Sequence, residues 1–138
     1  MKVKYRSLKR ILFYSVIIAA VSCGSGTYEK ATDPQDAGRE FIRASLDGDH
    51  KKASFYMLKD TTNLLMFERQ QRDYDALDHE EKKKHRESSI RPVTIKPLND
   101  STTIYTYYNT YNPTDTTSIT IVKTDGFWLV DLKSILKE

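Results

Sequence analysis

The fold is decided by residues 102–132, TTIYTYYNTYNPTDTTSITIVKTDGFWLVDL. Thr, Tyr, Ile and Val recur here with a period of two, which predicts strands over 102–110, 118–123 and 127–132. A turn at residues 112–115 separates the first two strands. Asp125 and Gly126 are the pair favoured in a two-residue type I′ hairpin, so they connect the last two. We therefore predict a positive φ at Gly126 and a buried Trp128.

The same period of two begins upstream at Ile90 and includes Val93 and Ile95. Residues 99–100 then turn the chain into the strand that starts at 102. Four strands joined by short turns predict an antiparallel meander.

The chain before Ile90 has the periodicity of helices. Asp33 is a good N-cap and Pro34 suits the first helical position. Gly48 ends this helix with a left-handed residue, and Asp49 caps a second, short helix. Apolar residues at spacings of three and four give the sides that these two helices bury, namely Ala37, Phe41, Ala44 and either Ile42 or Leu46 in the first and Ala53, Tyr56 and Met57 in the second.

Two further helices are predicted before the sheet. One begins near Thr61 or Thr62 and carries Leu64, Leu65 and Phe67. The other begins after Asp78, which forms a capping box with Glu81, and runs to about Ser88. Helices followed by an antiparallel sheet predict an α+β domain, with the N-terminal helices packed on a curved four-stranded meander.

The first 22 residues have the parts of an export signal. Residues 1–10 contain five basic side chains and no acidic one, and residues 11–21 form an apolar run. This run is shorter than the roughly 20 residues that span a bilayer, so it predicts a cleaved signal rather than a permanent membrane helix. It ends in the sequence AVSC, residues 20–23.

These four residues resemble the lipobox of bacterial lipoprotein precursors, in which small or aliphatic residues precede an obligatory cysteine. Ala20 stands where leucine is usual, so the match is to the relaxed form that Bacteroidetes-type lipoproteins often show. Cys23 is the only cysteine of the chain, which excludes an internal disulfide. The resemblance implies that Cys23 is acylated, becomes the mature N-terminus and anchors the protein by lipid to a membrane of the bacterial cell envelope.

Two alternatives remain for Cys23. It is an incidental residue at the end of an ordinary secretory signal, or it is a catalytic thiol. A reactive thiol needs a structured, electropositive surrounding, whereas Cys23 is followed by a Gly-Ser-Gly linker. The catalytic alternative is therefore the weaker of the two.

Removal of the signal changes the charge balance. The precursor has 22 basic and 19 acidic residues, a net charge of +3, whereas the 116 residues left without positions 1–22 have 17 and 19, a net charge of −2. With no basic excess, nucleic-acid binding has no electrostatic basis. We predict a signal peptide at 1–22, a lipidated cysteine with a flexible tether at 23–32, and one α+β domain at 33–138.

Three features of this domain resemble the small bacterial lipoprotein domains of unknown function that have the nuclear-transport-factor-2-like, or cystatin-like, fold. They are the first helix with its Asp47-Gly48-Asp49 end, the lysine-rich segment 80–90, and the hairpin 123–131 with Trp128 just after its turn. The resemblance implies a cone whose helices pack on the concave face of the sheet, sometimes enclosing a pocket. It implies no activity, because the fold includes ketosteroid isomerases as well as many non-catalytic binding domains.

Metal binding and acid-base catalysis lack a convincing constellation. A zinc site needs two histidines at a spacing of three or four on one helix, whereas His79 and His85 are six apart and His50 lies far from both. Asp131 is the one acid of the final strand, and strand alternation places it opposite Trp128. It points outward if the tryptophan face is the core; the alternative places it in a pocket beside Tyr56. We expect no catalytic residue, no metal and no cofactor.

The tyrosine-rich strand is the candidate binding surface. Tyr105, Tyr107 and Tyr111 share one face, and Tyr108 lies on the other. Tyrosine is a good strand former, so these side chains either pack on a half-buried sheet or form an aromatic recognition surface. We predict a non-catalytic domain that binds a small ligand or an envelope protein, with a cavity-based enzyme of the ketosteroid-isomerase type as the alternative.

Overall fold

The computed structural model describes residues 27–137, with side chains to residue 134. The predicted signal and Cys23 lie outside these residues. The elements in chain order are α1 (Pro34–Asp47), α2 (His50–Phe55), α3 (Thr61–Asp75), α4 (His79–Glu87), β1 (Ile90–Asn99), β2 (Thr102–Asn109), β3 (Asn112–Thr124) and β4 (Phe127–Lys137). The strands form one antiparallel sheet in the order β1-β2-β3-β4. The predicted α+β order and the meander are confirmed.

Short polar residues set the ends of α1 and α2 as predicted. The Asp33 carboxylate accepts hydrogen bonds from the backbone N–H groups of Gln35 and Asp36 at 2.8 and 3.2 Å. Gly48 ends α1 at φ 74°, and the Asp49 carboxylate caps α2. These bonds satisfy N–H groups that the first turn of a helix leaves without a backbone partner.

The apolar side of α1 packs on one face of the sheet. The residues predicted to be buried in α1 are each at most 5% exposed, and both alternatives, Ile42 and Leu46, are buried. Gly38 brings the α1 backbone close to β3, because a Cβ at this position would lie 2.8 Å from Ile121 Cδ1. Trp128, Val130 and Leu132 of β4 face the same core, which confirms the predicted orientation of the tryptophan.

Helix α3 differs from its sequence-based description. It continues through the polar residues 68–75, and Leu64 and Leu65 are 43% and 61% exposed. Phe67 is buried, but the other buried residue of α3 is Asn63. Its Oδ1 accepts a hydrogen bond from Leu132 N at 2.7 Å, so a polar side chain fixes α3 to β4. Because this partner lies 69 residues away, apolar periodicity does not reveal the position.

The capping box of α4 is present as predicted. The Asp78 carboxylate accepts from Glu81 N at 2.8 Å, and Glu81 Oε2 accepts from Asp78 N at 3.3 Å. Arg43 of α1 holds the other end of this helix, donating to the carbonyl oxygens of Ser88, His85 and Arg86 at 2.7, 3.3 and 3.2 Å. The half-buried Arg43 therefore positions α4, which has no buried residue of its own.

The turns of the sheet are partly as predicted. Asp125 and Gly126 have φ values of 52° and 81°, as a type I′ hairpin requires. The turn between β2 and β3 lies at residues 110–111 rather than 112–115, because Asn109 pairs with Asn112 and Thr116 pairs with Tyr108. Strand β3 is therefore six residues longer at its start than the sequence predicts. Proline is tolerated near a strand end, which is where Pro113 lies.

The two sheet edges are treated differently. Strand β1 carries Pro92 and Pro97, and proline lacks the N–H group that a further strand would need. The edge of β4 is bonded instead: Trp128 N donates to Ala31 O at 2.9 Å, and Val130 N donates to Tyr56 O at 2.8 Å.

Residues 28–31, part of the predicted flexible tether, pack against the domain. Ala31 is 8% exposed, and the Tyr56 hydroxyl donates to Glu29 O at 2.8 Å. The rings of Tyr28 and Phe55 lie 5.5 Å apart. Composition alone suggested a flexible linker here, but the backbone bond of Ala31 to the sheet edge and these side-chain contacts hold it against the domain.

Candidate functional site

A cavity of about 410 Å³ lies between the helices and the β2–β3 end of the sheet. All four helices contribute to its wall, together with β2, β3 and the turn between them. Its volume falls within the range of roughly 300 to 1,000 Å³ that is typical of small-molecule sites. Trp128 does not line it, because that residue lies near the opposite end of the sheet.

The inner wall of the cavity is apolar. Helix α1 contributes Phe41, Ile42 and Leu46, while Phe67 comes from α3 and Ile119 from β3. The rings of Phe41 and Phe67 lie 6.4 Å apart. All five residues also belong to the buried core of the domain, so this wall is formed by packed helices and strands rather than by loops.

Two polar atoms in the cavity wall are buried and have no hydrogen-bond partner among the residues that the structure describes. They are Ser45 Oγ, on α1, and Asn109 Oδ1, at the end of β2. A buried polar group without a partner costs about 1 to 3 kcal/mol, so native proteins seldom keep one without a reason. Because neither atom is accessible to a water-sized probe, a molecule in the cavity could bond to them only if a side chain moved.

The predicted binding tyrosines share a face as expected, but this face points toward the helices. Tyr105 is 1% exposed and packs in the core, so its expected role in an accessible surface needs correction. Tyr107 and Tyr111 line the cavity, and Tyr111 is 44% exposed. Tyr107 is partly buried against the core. The structure thus separates the three residues into one core residue and two wall residues.

Burial keeps the cavity tyrosines in their neutral form. Desolvation raises the pKa of Tyr107 well above its ordinary value, and the nearby Tyr111, Tyr105 and Asp115 add to that effect. Desolvation followed by the Asp115 carboxylate also raises the pKa of Tyr111, with the Asn109 side chain acting in the opposite direction. Both side chains therefore keep an O–H group at neutral pH.

Helix α4 closes one side of the cavity through His85. Its imidazole stacks on the Tyr111 ring, with ring centroids 4.4 Å apart and an angle of 21° between the planes. Burial lowers the pKa of His85, while Glu81 acts in the opposite direction. A histidine with a lowered pKa is neutral at pH 7, since the ordinary value is about 6.5. The Arg43 contacts to the end of α4 hold this stack in place.

The charged side chains of the wall are acidic. Asp73 and Asp115 line the cavity, and none of the wall residues that the structure describes is Lys or Arg. His50 also lines it and forms a 3.1 Å contact between its Nε2 and Asp75 Oδ1. This composition offers no cation to an anionic ligand.

No family model, curated protein or solved structure matches this chain. The chemistry of the site therefore follows from its own residues.

Asp131 lies away from the cavity. It follows Val130 and precedes Leu132, which are both buried in the core, so strand alternation points it to the other face of the sheet. Its Oδ1 accepts from Lys133 N at 3.1 Å and lies 3.8 Å from Lys133 Nζ. The outward orientation is confirmed, and the alternative beside Tyr56 is wrong.

The sequence did not identify Ser45 or Asn109. Ser45 lies four residues after Phe41 in α1, so a polar residue on the apolar side of that helix was the available signal. Asn109 lies two residues after Tyr107 and therefore shares its face. Neither position belongs to a sequence motif, because what distinguishes both is a missing hydrogen-bond partner in the folded chain.

Within residues 27–137, the structure contains no group of three or more His, Cys, Asp or Glu side chains placed to hold a metal ion. In the same part of the chain, no helix combines the length and the apolar character needed to cross a bilayer.

Proposed function

We propose that this protein is a lipid-anchored lipoprotein of the bacterial cell envelope, and that its domain binds a small molecule in the cavity without transforming it. The observation that carries the binding proposal is the cavity of about 410 Å³, whose wall combines apolar side chains with a few polar ones, among them Tyr107 and Tyr111. An apolar cavity with a few converging polar groups is the usual form of a ligand site.

We also propose that the domain is a nuclear-transport-factor-2-like, or cystatin-like, cone. The arrangement supports this finer assignment, because the helices precede the sheet, pack on one of its faces and leave a cavity at one end. Fold alone carries no activity, so the proposal of binding rests on the cavity residues.

Binding is favoured over the alternative of a ketosteroid-isomerase-like enzyme. Such an enzyme needs a carboxylate inside the cavity whose pKa is tuned for proton transfer. Asp131, the acid that the sequence offered for that role, faces the other side of the sheet and contacts Lys133, so this alternative loses the residue on which it rested. The carboxylates that do line the cavity are Asp73 and Asp115, and Asp115 accepts a hydrogen bond from Asn112 Nδ2 at 3.5 Å. Tyr107 and Tyr111 can donate hydrogen bonds in either case, so they do not separate the two functions.

Replacement of Cys23 by Ser tests the anchor. In cells supplied with an alkyne analogue of palmitate, the wild-type chain should be labelled and should sediment with membranes. The Cys23→Ser chain should lose the label, because a hydroxyl does not replace the thiol that receives the lipid, and it should be released or mislocalised. Equal labelling of both chains would contradict the proposed acylation.

Filling the cavity tests the binding site. We expect Ser45→Phe to weaken binding of 2-naphthol at least about 10-fold, because a larger side chain at this position of the wall takes up volume that the probe would occupy. The full chain in lipid nanodiscs would be titrated with 2-naphthol while the methyl signals of Ile42 and Ile119 are followed by NMR. Both isoleucines line the cavity.

Glu68→Phe is the matched control. It adds the same ring to an exposed position of α3 that does not line the cavity. This variant should bind 2-naphthol as the wild type does. If Ser45→Phe binds the probe as tightly as Glu68→Phe, the cavity is not the binding site.

A further inference from the structure

Asp115 is a half-buried carboxylate of the cavity wall. It lies in β3 and accepts a hydrogen bond from the neutral amide of Asn112 at 3.5 Å. Within the part of the chain that the structure describes, it forms no ion pair with a Lys, Arg or His side chain. Partial burial of a carboxylate is costly unless a positive charge lies near it, so a cationic ligand would stabilise this wall.

The negative charge of Asp115 acts on the cavity itself. Desolvation and, after it, the Asp115 carboxylate raise the pKa of Tyr111, which lines the cavity. Asp73 of α3 is a second carboxylate of the same wall and is exposed. Two carboxylates beside a low-dielectric wall give the cavity a negative potential, which attracts positive ligands.

The wall has no basic side chain that would cancel this charge. Neither Lys nor Arg lines the cavity in the part of the chain that the structure describes. Arg43 is bonded to the end of α4, and Lys82 donates to Asp75 O at 2.9 Å. His50 does line the cavity, but its Nε2 lies 3.1 Å from Asp75 Oδ1. Burial lowers the pKa of His85, which is therefore neutral at pH 7.

Aromatic rings from the helices and from the sheet surround the same space. They are Phe41, Phe67, Tyr74, Tyr107 and Tyr111. The face of an aromatic ring carries partial negative charge and attracts a cation, more strongly where water is excluded. Among residues 27–137, no three His, Cys, Asp or Glu side chains are placed to hold a metal ion. The wall therefore suits an organic cation with an apolar body.

We propose that the cavity takes an organic cation, a substituted ammonium ion with an apolar or aromatic body, and that Asp115 is its counter-ion. This inference rests on the proposed function and names its ligand class. The apolar inner wall contacts the body of the ligand, whereas Asp115 and the rings stabilise its charge. A neutral compound of the same shape keeps the first contact and loses the second. A carboxylate would add a third negative charge beside Asp73 and Asp115.

Three matched naphthalenes test this class. The full chain in nanodiscs of zwitterionic lipid at pH 7 would be titrated with 2-naphthylmethylammonium, 2-naphthylmethanol and 2-naphthoate. The ammonium and the alcohol share the ring and the linking carbon and both donate hydrogen bonds, so the difference between them reports the charge. The methyl signals of Ile42 and Ile119 report on the cavity, and the methyl of Ile104 is the reference because strand alternation from the buried Tyr105 places it on the other face of the sheet. Dissociation constants would refer to the free aqueous probe concentration, since all three compounds also enter lipid.

We expect 2-naphthylmethylammonium to bind about 5- to 30-fold more tightly than 2-naphthylmethanol, because the rings and Asp115 act on its charge. 2-Naphthoate should bind at least about 10-fold more weakly than the alcohol, since its carboxylate would be desolvated without a cationic partner. If the alcohol or the carboxylate binds as tightly as the ammonium, the ligand class is wrong while the cavity remains a site. If none of the three shifts Ile42 or Ile119, the proposed function fails as well.

Replacement of Asp115 by Asn tests the counter-ion. Asn has nearly the same shape without the charge, so Asp115→Asn should lower the preference for the ammonium over the alcohol by about 3-fold or more. The dissociation constant of the alcohol should stay near the wild-type value. Asp131→Asn is the matched control, because it removes the same charge from the other face of the sheet, and it should keep the wild-type preference.

An unchanged preference in Asp115→Asn would overturn the role of Asp115. An equal loss in Asp115→Asn and Asp131→Asn would also overturn it, because net charge alone would then account for the preference. The naphthalene series on the wild-type chain stands as a test even if Asp115→Asn does not fold.

Discussion

Trp128→Ala should lower the free energy of unfolding by about 3 to 5 kcal/mol, the usual cost of truncating a large buried aromatic side chain. Trp128 is 7% exposed and belongs to the same buried cluster as the apolar side of α1. Its backbone also lies at the edge where Ala31 is bonded, so the loss of packing affects both the sheet and the segment before α1.

The measurement is urea unfolding of the full chain in detergent, followed by far-ultraviolet circular dichroism. Leu129→Ala is the control, because it removes a neighbouring side chain that points to the other face and is only partly buried. It should cost about 1 kcal/mol or less. If Trp128→Ala costs no more than Leu129→Ala, the helix-facing side of β4 has been assigned to the wrong residues.

Gly48→Ala should be the most damaging Gly→Ala change among the three glycines that the structure describes, for two separate reasons. Gly48 has φ 74°, which costs an L-residue about 1 to 2 kcal/mol. A Cβ at this position would also overlap Cε1 of the Tyr74 ring, so the ring must move. This overpacking should add about 1 to 3 kcal/mol.

Gly126→Ala separates the two costs. Gly126 has φ 81°, but a Cβ there would meet nothing within 4 Å. This variant should therefore show the backbone strain alone, about 1 to 2 kcal/mol. Replacing Tyr74 by Ala in the Gly48→Ala chain should remove the steric part of the penalty, which a double-mutant cycle measures. Equal unfolding free energies for Gly48→Ala and Gly126→Ala would show that Tyr74 yields without cost.

The elements that local chemistry defines were predictable from the sequence. The Asp33 cap, the left-handed Gly48 and the Asp78–Glu81 capping box each depend on residues within a few positions, and all are present. The Asp125-Gly126 hairpin and the buried Trp128 follow from the same kind of signal. Short-range hydrogen bonds and alternation therefore accounted for the order of elements.

The features that depend on distant partners were not predictable. Asn63 is buried because Leu132 N, on the last strand, needs an acceptor. Residues 28–31 are packed because Trp128 N donates to Ala31 O at the edge of β4 and because Tyr56 and Phe55 contact Glu29 and Tyr28. The sequence predicted that Tyr105, Tyr107 and Tyr111 share one face. Only the placement of α1 and α4 shows that Tyr105 is covered, whereas Tyr107 and Tyr111 line the cavity.

The cavity itself was the hardest feature to predict. A sequence shows which residues are apolar, but an empty volume arises from how four helices meet one end of a sheet. Ser45 and Asn109 are notable only because their polar atoms find no partner there. A missing hydrogen-bond partner depends on the folded structure, so no local residue pattern indicates it.

The packing of residues 28–31 on the β4 edge also limits how the protein searches for what it binds. Under the proposed acylation, residues 24–27 alone separate Cys23 from the packed chain, and the five residue steps from Cys23 to Tyr28 reach at most about 18 Å when fully extended. The domain would then diffuse laterally with its lipid and meet membrane-associated molecules by a two-dimensional search. It would be unable to travel across an aqueous space to collect its ligand, so the ligand would have to arrive at, or leave from, the membrane that carries the anchor.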